Sequence, residues 1–218
     1  MLNVTSLYKR YGTLEILRGL SLEVPKGQVA AIVGPSGCGK STLLHLIGTL
    51  DSPDKGKVEI NGTDVFKLSS KKLAAFRNKH IGFVFQFHHL LPEFSAIENV
   101  SIPAWLAGRS KSSVKEEATR LLDTLGLSHR LDHKPSALSG GEQQRVAVAR
   151  ALINQPDIIL ADEPSGNLDS VHARELHQLF FTLRDKTGQT FLVVTHNEEL
   201  ASQCDKVWTM KDGMLLGN

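Results

Sequence analysis

The stretch Gly34-Pro35-Ser36-Gly37-Cys38-Gly39-Lys40-Ser41-Thr42 constrains this chain more than any other. It follows the unbroken apolar run Val29–Val33 and precedes Leu43, Leu46, Ile47 and Leu50, an apolar stripe at i, i+3, i+4, i+7. A G-x-x-x-x-G-K-[ST] spacing between a buried strand and a helix is a phosphate cradle. Its glycines let several backbone N–H groups point into one concavity, and the helix start adds partial positive charge. In that context Lys40 is expected to reach the β- and γ-phosphates of a nucleotide, and the Ser41 hydroxyl to ligate Mg²⁺. Residues 83–85, 158–161 and 191–194 are also continuously apolar, as strands of a parallel sheet covered on both faces would be. Strands alternating with helical periods imply an α/β core.

Other patterns place the surrounding elements. Leu20, Leu22 and Val24 alternate with Ser21 and Glu23, which predicts half-buried strands, with Pro25-Lys26-Gly27 as a turn. Asn61-Gly62 and Asp212-Gly213 predict two hairpins. Ser113-x-x-Glu116 reads as a capping box that opens a helix with Val114, Ala118, Leu121, Leu122 and Leu125 inward, ended by Gly126. Residues 87–150 read as mainly helical, an expected insertion into a core made by residues 1–86 and 151–218.

Composition excludes some classes. With 25 Lys+Arg against 23 Asp+Glu, the near-neutral balance argues against a general nucleic-acid binder. Cys38 and Cys204 lie far apart without a C-x-x-C pattern, which favours reduced thiols in a cytosolic compartment. The opening residues lack an apolar signal region, and no apolar run approaches the ~20 residues a membrane helix needs. Any action at a membrane is therefore expected to go through a partner.

Three groups share the expected phosphate edge. Asp162 and Glu163 end an apolar strand, and ligands of open parallel sheets bind beyond the carboxyl ends of the strands. Asp162 is expected to hold Mg²⁺, and Glu163 to polarise the attacking water for in-line transfer. His196 ends another strand and is placed to meet a γ-phosphate. Gln86, after the strand at 81–85, is placed to sense Mg²⁺ or the water. Ser139-Gly140-Gly141-Glu142 forms a second capping box whose exposed helix N-terminus is a second anion site. One nucleotide does not need two such sites from one chain, so the second is expected to complete the first site of another copy.

Two stretches suggest contact surfaces. Phe87, Leu90, Leu91 and Phe94 surround Pro92 in a loop, where so many apolar groups suggest a partner's helix in a groove, with subdomain core as the alternative. Residues 65–92 carry Lys67, Lys71, Lys72, Arg77 and Lys79 without an acid, a solvated helix face or a face near anionic headgroups. His129 and His133 read as a surface pair.

In order along essentially the whole chain, these motifs resemble the nucleotide-binding subunits of ABC (ATP-binding cassette) transporters. Within that family, residues 85–94 and 161–169 are most similar to the lipoprotein-releasing ATPases, with the macrolide-exporter and cell-division ATPases as near relatives. Gln143, Ser165 and Asn197 are mild departures from the usual pattern and remove no catalytic group. The resemblance implies an ABC ATPase fold, a P-loop core with a mainly parallel sheet, an N-terminal antiparallel β-subdomain and an inserted α-helical subdomain. It implies ATP and Mg²⁺ as ligands, Tyr11 stacking on adenine, and Asp169 ending a loop at the nucleotide. It also implies a homodimer that sandwiches two ATP molecules between residues 34–42 of one copy and 139–142 of the other. Integral permease subunits would dock near Phe87, Leu90, Leu91 and Phe94, placing the chain peripherally on the cytoplasmic face of a bacterial inner membrane.

Overall fold

The computed structural model describes residues 1–216; Gly217 and Asn218, the end of the expected core segment 151–218, lie outside the described residues. The alternating N-terminal segments form β1 (Leu2–Tyr11) and β2 (Leu14–Val24). Together with β4 (Lys55–Ile60) and β5 (Thr63–Asp64) they make an antiparallel sheet in the order β2-β1-β4-β5. Leu2 and Val4 on β1 and Leu20, Leu22 and Val24 on β2 are buried, as the period of two requires, and a register shift between Val4 and Leu7 returns Leu7 to the buried face. Asn61 and Gly62 join β4 to β5 with φ of 49° and 76°, the left-handed pair a tight hairpin needs.

The continuously apolar runs form the second sheet. Its strands are β3 (Val29–Val33), β6 (Ile81–Phe85), β7 (Ile158–Asp162), β8 (Thr190–Val194), β9 (Lys206–Lys211) and β10 (Met214–Leu216). They lie in the order β10-β9-β3-β8-β7-β6. All neighbours are parallel except β9 and β10, which the Asp212-Gly213 turn makes antiparallel. Each face feeds its own core. Ala30, Ile32, Leu160, Leu192 and Val194 pack with α1 (Lys40–Ile47) and the antiparallel sheet. Val29, Ile159, Ala161, Phe191 and Val193 pack with helices on the opposite side. Those helices are α3 (Ala96–Leu106), α4 (Lys111–Thr124), α5 (Gly140–Leu152) and α6 (Ser170–Thr187). Phe180 of α6 stacks on Phe191 of β8 at 4.8 Å, the largest buried pair on that side. The remaining helices are α2 (Ser70–His80) and α7 (Glu198–Gln203). Among the described residues no helix is long and apolar enough to cross a membrane.

Three local expectations need correction. Leu50 does not continue the stripe of α1: the helix stops at Ile47 with Gly48 as its cap, so Leu50 is 48% exposed and Leu44 is buried instead. Ser113 does not cap α4; Ser110 does, its Oγ accepting from the Ser113 N–H at 3.4 Å, because the helix starts a turn earlier. Phe83 and Phe85 are only half-buried, since β6 is the edge strand and its outer side is not fully covered.

Candidate active site

The strand order brings the carboxyl ends of β3, β8, β7 and β6 side by side, so Gly34, Thr195, Asp162 and Gln86 emerge along one edge. Residues 34–42 leave β3 and turn directly into α1. Gly39 has φ +106°, and a Cβ there would press on Met210 and Ile16. Gly34 has φ +155°, and a Cβ would overlap the Met210 carbonyl. Only glycine fits both positions. Lys40 is buried and its ammonium donates to the Gly34 and Pro35 carbonyls at 2.8 and 3.0 Å, folded back over its own loop. Pro35, Ser36, Gly37 and Cys38 complete the turn, in which Cys38 is buried, and Ser41 and Thr42 open the helix.

Ser41 Oγ donates to Asp162 Oδ1 at 3.1 Å, which joins the phosphate loop to the end of β7. Burial pushes the Asp162 carboxyl above its ordinary range, opposed by the Ser41 hydrogen bond and by His45 and Lys40. Glu163 follows in a left-handed conformation, φ +44°, a strain of about 1–3 kcal/mol for a non-glycine residue. Two bonds hold it there: its N–H donates to the Val194 carbonyl at 2.9 Å, and its carbonyl accepts from Gly166 at 3.0 Å. That turn aims the carboxylate at His196, whose Nδ1 lies 2.9 Å from Glu163 Oε2. The His196 backbone N–H donates to the same oxygen at 3.3 Å. Glu163 and His196 are thus brought together, with His196 largely exposed.

Gln86 turns elsewhere. Its Nε2 donates to Asn167 Oδ1 at 3.0 Å, and Asn167 Nδ2 donates back to the Gln86 carbonyl at 3.1 Å. Asn167 had no signal in the sequence beyond its place between Glu163 and Asp169. A second tie is Gln144 of α5, almost fully buried, whose Nε2 donates to the Pro164 carbonyl at 2.7 Å and the Phe85 carbonyl at 3.3 Å. Tyr11 ends β1, half exposed, and its hydroxyl donates to Asp51 Oδ2 at 2.6 Å. Lys9 donates to Asp51 Oδ1 at 2.8 Å and sits 4.9 Å from the Tyr11 ring centre. The bond to Asp51 pushes the Tyr11 hydroxyl up to about 12. Burial raises Asp51, but the Lys9 and Tyr11 hydrogen bonds outweigh it and hold Asp51 at about 2. Lys9 and Asp51 carry no sequence signal, because they support the ring without belonging to a motif.

Ser139, Gly140, Gly141 and Glu142 lie away from the phosphate loop: among the described residues no hydrogen bond or ion pair joins 34–42 to 139–142. Both halves of the capping box are present, Ser139 N–H to Glu142 Oε2 at 2.7 Å and Glu142 N–H to Ser139 Oγ at 3.2 Å. Glu142 Oε1 accepts from Arg130 Nε at 2.8 Å, with His129 4.0 Å away. The Ser139 backbone bond, then Arg130, draws the Glu142 carboxyl down to about 2. His133 approaches Arg130 at 3.3 Å, so His129 and His133 border this cluster. No metal-ligating group of three or more acids, histidines or cysteines occurs among the described residues. Asp169 caps α6, its Oδ1 accepting from the Val171 and His172 N–H groups at 3.0 Å.

Comparison with known proteins gives the family. Residues 17–166 match the family model described as ABC transporter. The chain is 57% identical over 216 residues to the "Lipoprotein-releasing system ATP-binding protein LolD" of Bacteroides fragilis (strain YCH46), covering 99% of this chain and 100% of that one. It is 54% identical to the protein of the same name from Porphyromonas gingivalis (strain ATCC BAA-308 / W83), covering 99% and 98%. Among solved structures, the dimeric post-hydrolysis state of the ATP-binding cassette MJ0796 bound to ADP and Pi superposes with a TM-score of 0.90 at 37% identity, covering 100% of this chain and 97% of that one. Matched across most of its length by the family model and across 99% of it by these relatives, the chain belongs to the ABC transporter family.

Proposed function

We propose that this chain is the ATP-hydrolysing subunit of a transporter that releases lipoproteins from a bacterial inner membrane, acting as a homodimer on the cytoplasmic face. The observation that carries the reading is the convergence of Lys40, Ser41, Asp162, Glu163 and His196 on one sheet edge. The relatives' names support the cargo, and the dimeric neighbours support the assembly.

The residues present fit the expected ligands. Lys40, bound among the described residues only to two carbonyls, is free to exchange them for phosphate oxygens, while the loop's N–H groups cradle the same anion. Ser41 and Asp162 offer hard oxygen donors 3.1 Å apart, the donor type Mg²⁺ prefers. When bound, the cation neutralises charge building on the phosphates. Tyr11, fixed by Asp51 and Lys9, presents its ring to the adenine. Glu163 orients the attacking water and takes its proton. His196, paired with Glu163 in this state, turns to the γ-phosphate and leaves that carboxylate free for the water. Gln86 reports on the site through Asn167.

In the second copy, Ser139 and the Gly140–Gly141 backbone meet the other face of the nucleotide and Asp169 lies beside it. Glu142 braces Ser139, since both of its oxygens are already engaged. The helical residues 87–150 carry this edge and the permease contact together.

The surface that supports docking is a groove of about 1010 Å³ flanked by α2, β6 and α3. Leu50, Ala74, Phe83, Phe85, Leu106 and Ala107 line it, and Leu106 is 78% exposed. Arg150 lines it too and donates to the His88 and His89 carbonyls at 2.7 and 2.6 Å, tying the 87–94 loop to its rim. Phe87, Leu91 and Phe94 are exposed there, while Leu90 packs against the helical core. Proposed docking therefore uses Phe87, Leu91 and Phe94 with the groove, and Leu90 as support.

The test is a pull-down of tagged Glu163→Gln from detergent-solubilised membranes with ATP. Two different permease subunits with large extracytoplasmic domains support lipoprotein release. One self-associating permease favours an exporter, and ribosomes or DNA without a membrane protein overturn the transport reading.

A further inference from the structure

Two of the elements proposed to face the second copy are joined within one chain by a residue that belongs to neither motif. His172, in the first turn of α6, lays its ring on Gly141: a Cβ built on that buried glycine would come 2.9 Å from His172 Cδ2 and 3.3 Å from Cγ. The same ring donates from Nδ1 to Asp169 Oδ2 at 2.6 Å. Leu168 stands next to Gly140, 3.8 Å from the position of a Cβ there. Deeper along the two helices, Arg145 of α5 pairs with Glu175 of α6 at 3.3 Å.

We propose that His172 is a positioning residue that locks the Gly140–Gly141 start of α5 to the Asp169 turn, so that both meet the second copy as one rigid edge. The Cδ2–Cγ side of the ring needs a glycine beside it, and its Nδ1 needs the one Asp169 oxygen that the α6 backbone leaves open. Without the ring, Gly140–Gly141 and Asp169 have to be ordered separately as the dimer closes, and ordering is an entropic penalty on assembly. The inference rests on the shared-site reading above and adds the residue that aligns its two cross-dimer parts.

The test uses the full chain in the Glu163→Gln background and reads the ATP-dependent monomer–dimer constant by sedimentation, ATP-analogue binding to the monomer by fluorescence, and Tm. His172→Ala is expected to weaken dimerisation roughly three- to tenfold, the scale of the ordering left to be done at assembly, with monomer binding unchanged and little effect on Tm because the His172–Asp169 pair is exposed. His172→Asn, whose amide takes the place of Nδ1, is expected to recover most of that loss. An unchanged dimer constant in His172→Ala overturns the proposal, as does a loss shared by monomer binding and Tm or one that Asn does not relieve. If the Glu163→Gln parent itself does not dimerise with ATP, the shared-site reading falls, and this inference with it.

Discussion

Gln144→Leu separates the scaffold of the site from its chemistry. Gln144 is 1% exposed, and its Nε2 spans the Pro164 carbonyl at 2.7 Å and the Phe85 carbonyl at 3.3 Å. Leucine has nearly the same volume, so the cavity contribution is small. What changes is polar: the Pro164 carbonyl loses its short partner inside the protein, at about 1–3 kcal/mol. Against that, Gln144 Oε1 is buried without a partner among the described residues, and its removal returns about 1 kcal/mol. The net loss is at most about 2 kcal/mol, which for a domain of this size lowers Tm by up to roughly 8 °C. Function falls further than stability. Pro164 follows Glu163 and Phe85 precedes Gln86, so loosening both turns is expected to lower kcat about tenfold while KM for ATP holds, as for an interaction made mainly in the transition state. Calorimetry and steady-state ATPase assays read the two effects. A Tm within about 1 °C of wild type with unchanged kcat refutes the idea that Gln144 holds the two turns in register.

Other perturbations address single contacts. Glu163→Gln is expected to bind ATP yet lose hydrolysis by roughly 10²–10⁴-fold in a single-turnover assay, and near-wild-type turnover contradicts the water-orienting role. Arg130→Ala leaves the Glu142 carboxylate without its cationic partner beside the proposed cross-dimer phosphates, so ATP-driven dimerisation weakens. Glu142→Gln in the same chain removes the charge and restores dimerisation; failure of that rescue argues against charge as the cause. Glu142 and Asp51 both titrate near 2 when folded, below their ordinary values. Their stabilisation is therefore complete above the unfolded values and is lost as pH falls from about 4.5 towards 2. Urea titrations across that window are expected to show a shallower decline for Glu142→Gln than for wild type; identical slopes count against the Ser139–Glu142–Arg130 network.

The parallel sheet and the phosphate loop were legible because each is written locally: an unbroken apolar run must be covered on both faces, and few sequences place Gly34, Gly39 and Lys40 between a strand and a helix. The Ser139–Glu142 capping box was legible for the same reason, and the Arg130 bond to Glu142 was not, because its partners lie twelve residues apart with no shared motif. The pairing of Glu163 with His196 depends on a left-handed Glu163, which strand-end patterning does not signal. Loop 87–94 shows where periodicity runs out. Leu90 packs against the core and Phe87 and Leu91 stay outside, although all three read alike as apolar loop residues. The groove beside them draws on Leu50, α2, β6 and α3, segments that only the folded chain brings together. Gln86 pointed to Asn167 rather than to Ser41 and Asp162 for a comparable reason: two short amides found each other across eighty-one residues.

The central claim is that one ATP site is built from two copies. Lys40→Ala disables the phosphate loop and Ser139→Arg the opposing edge, so each protein alone is expected to be inactive. In a mixed dimer one site joins the intact Lys40 of one copy to the intact Ser139 of the other. Mixing the two inactive proteins is therefore expected to restore ATP hydrolysis to about a quarter of wild type, since half the dimers are mixed and each carries one working site. Hydrolysis that stays at the sum of the two separate variants would contradict the account.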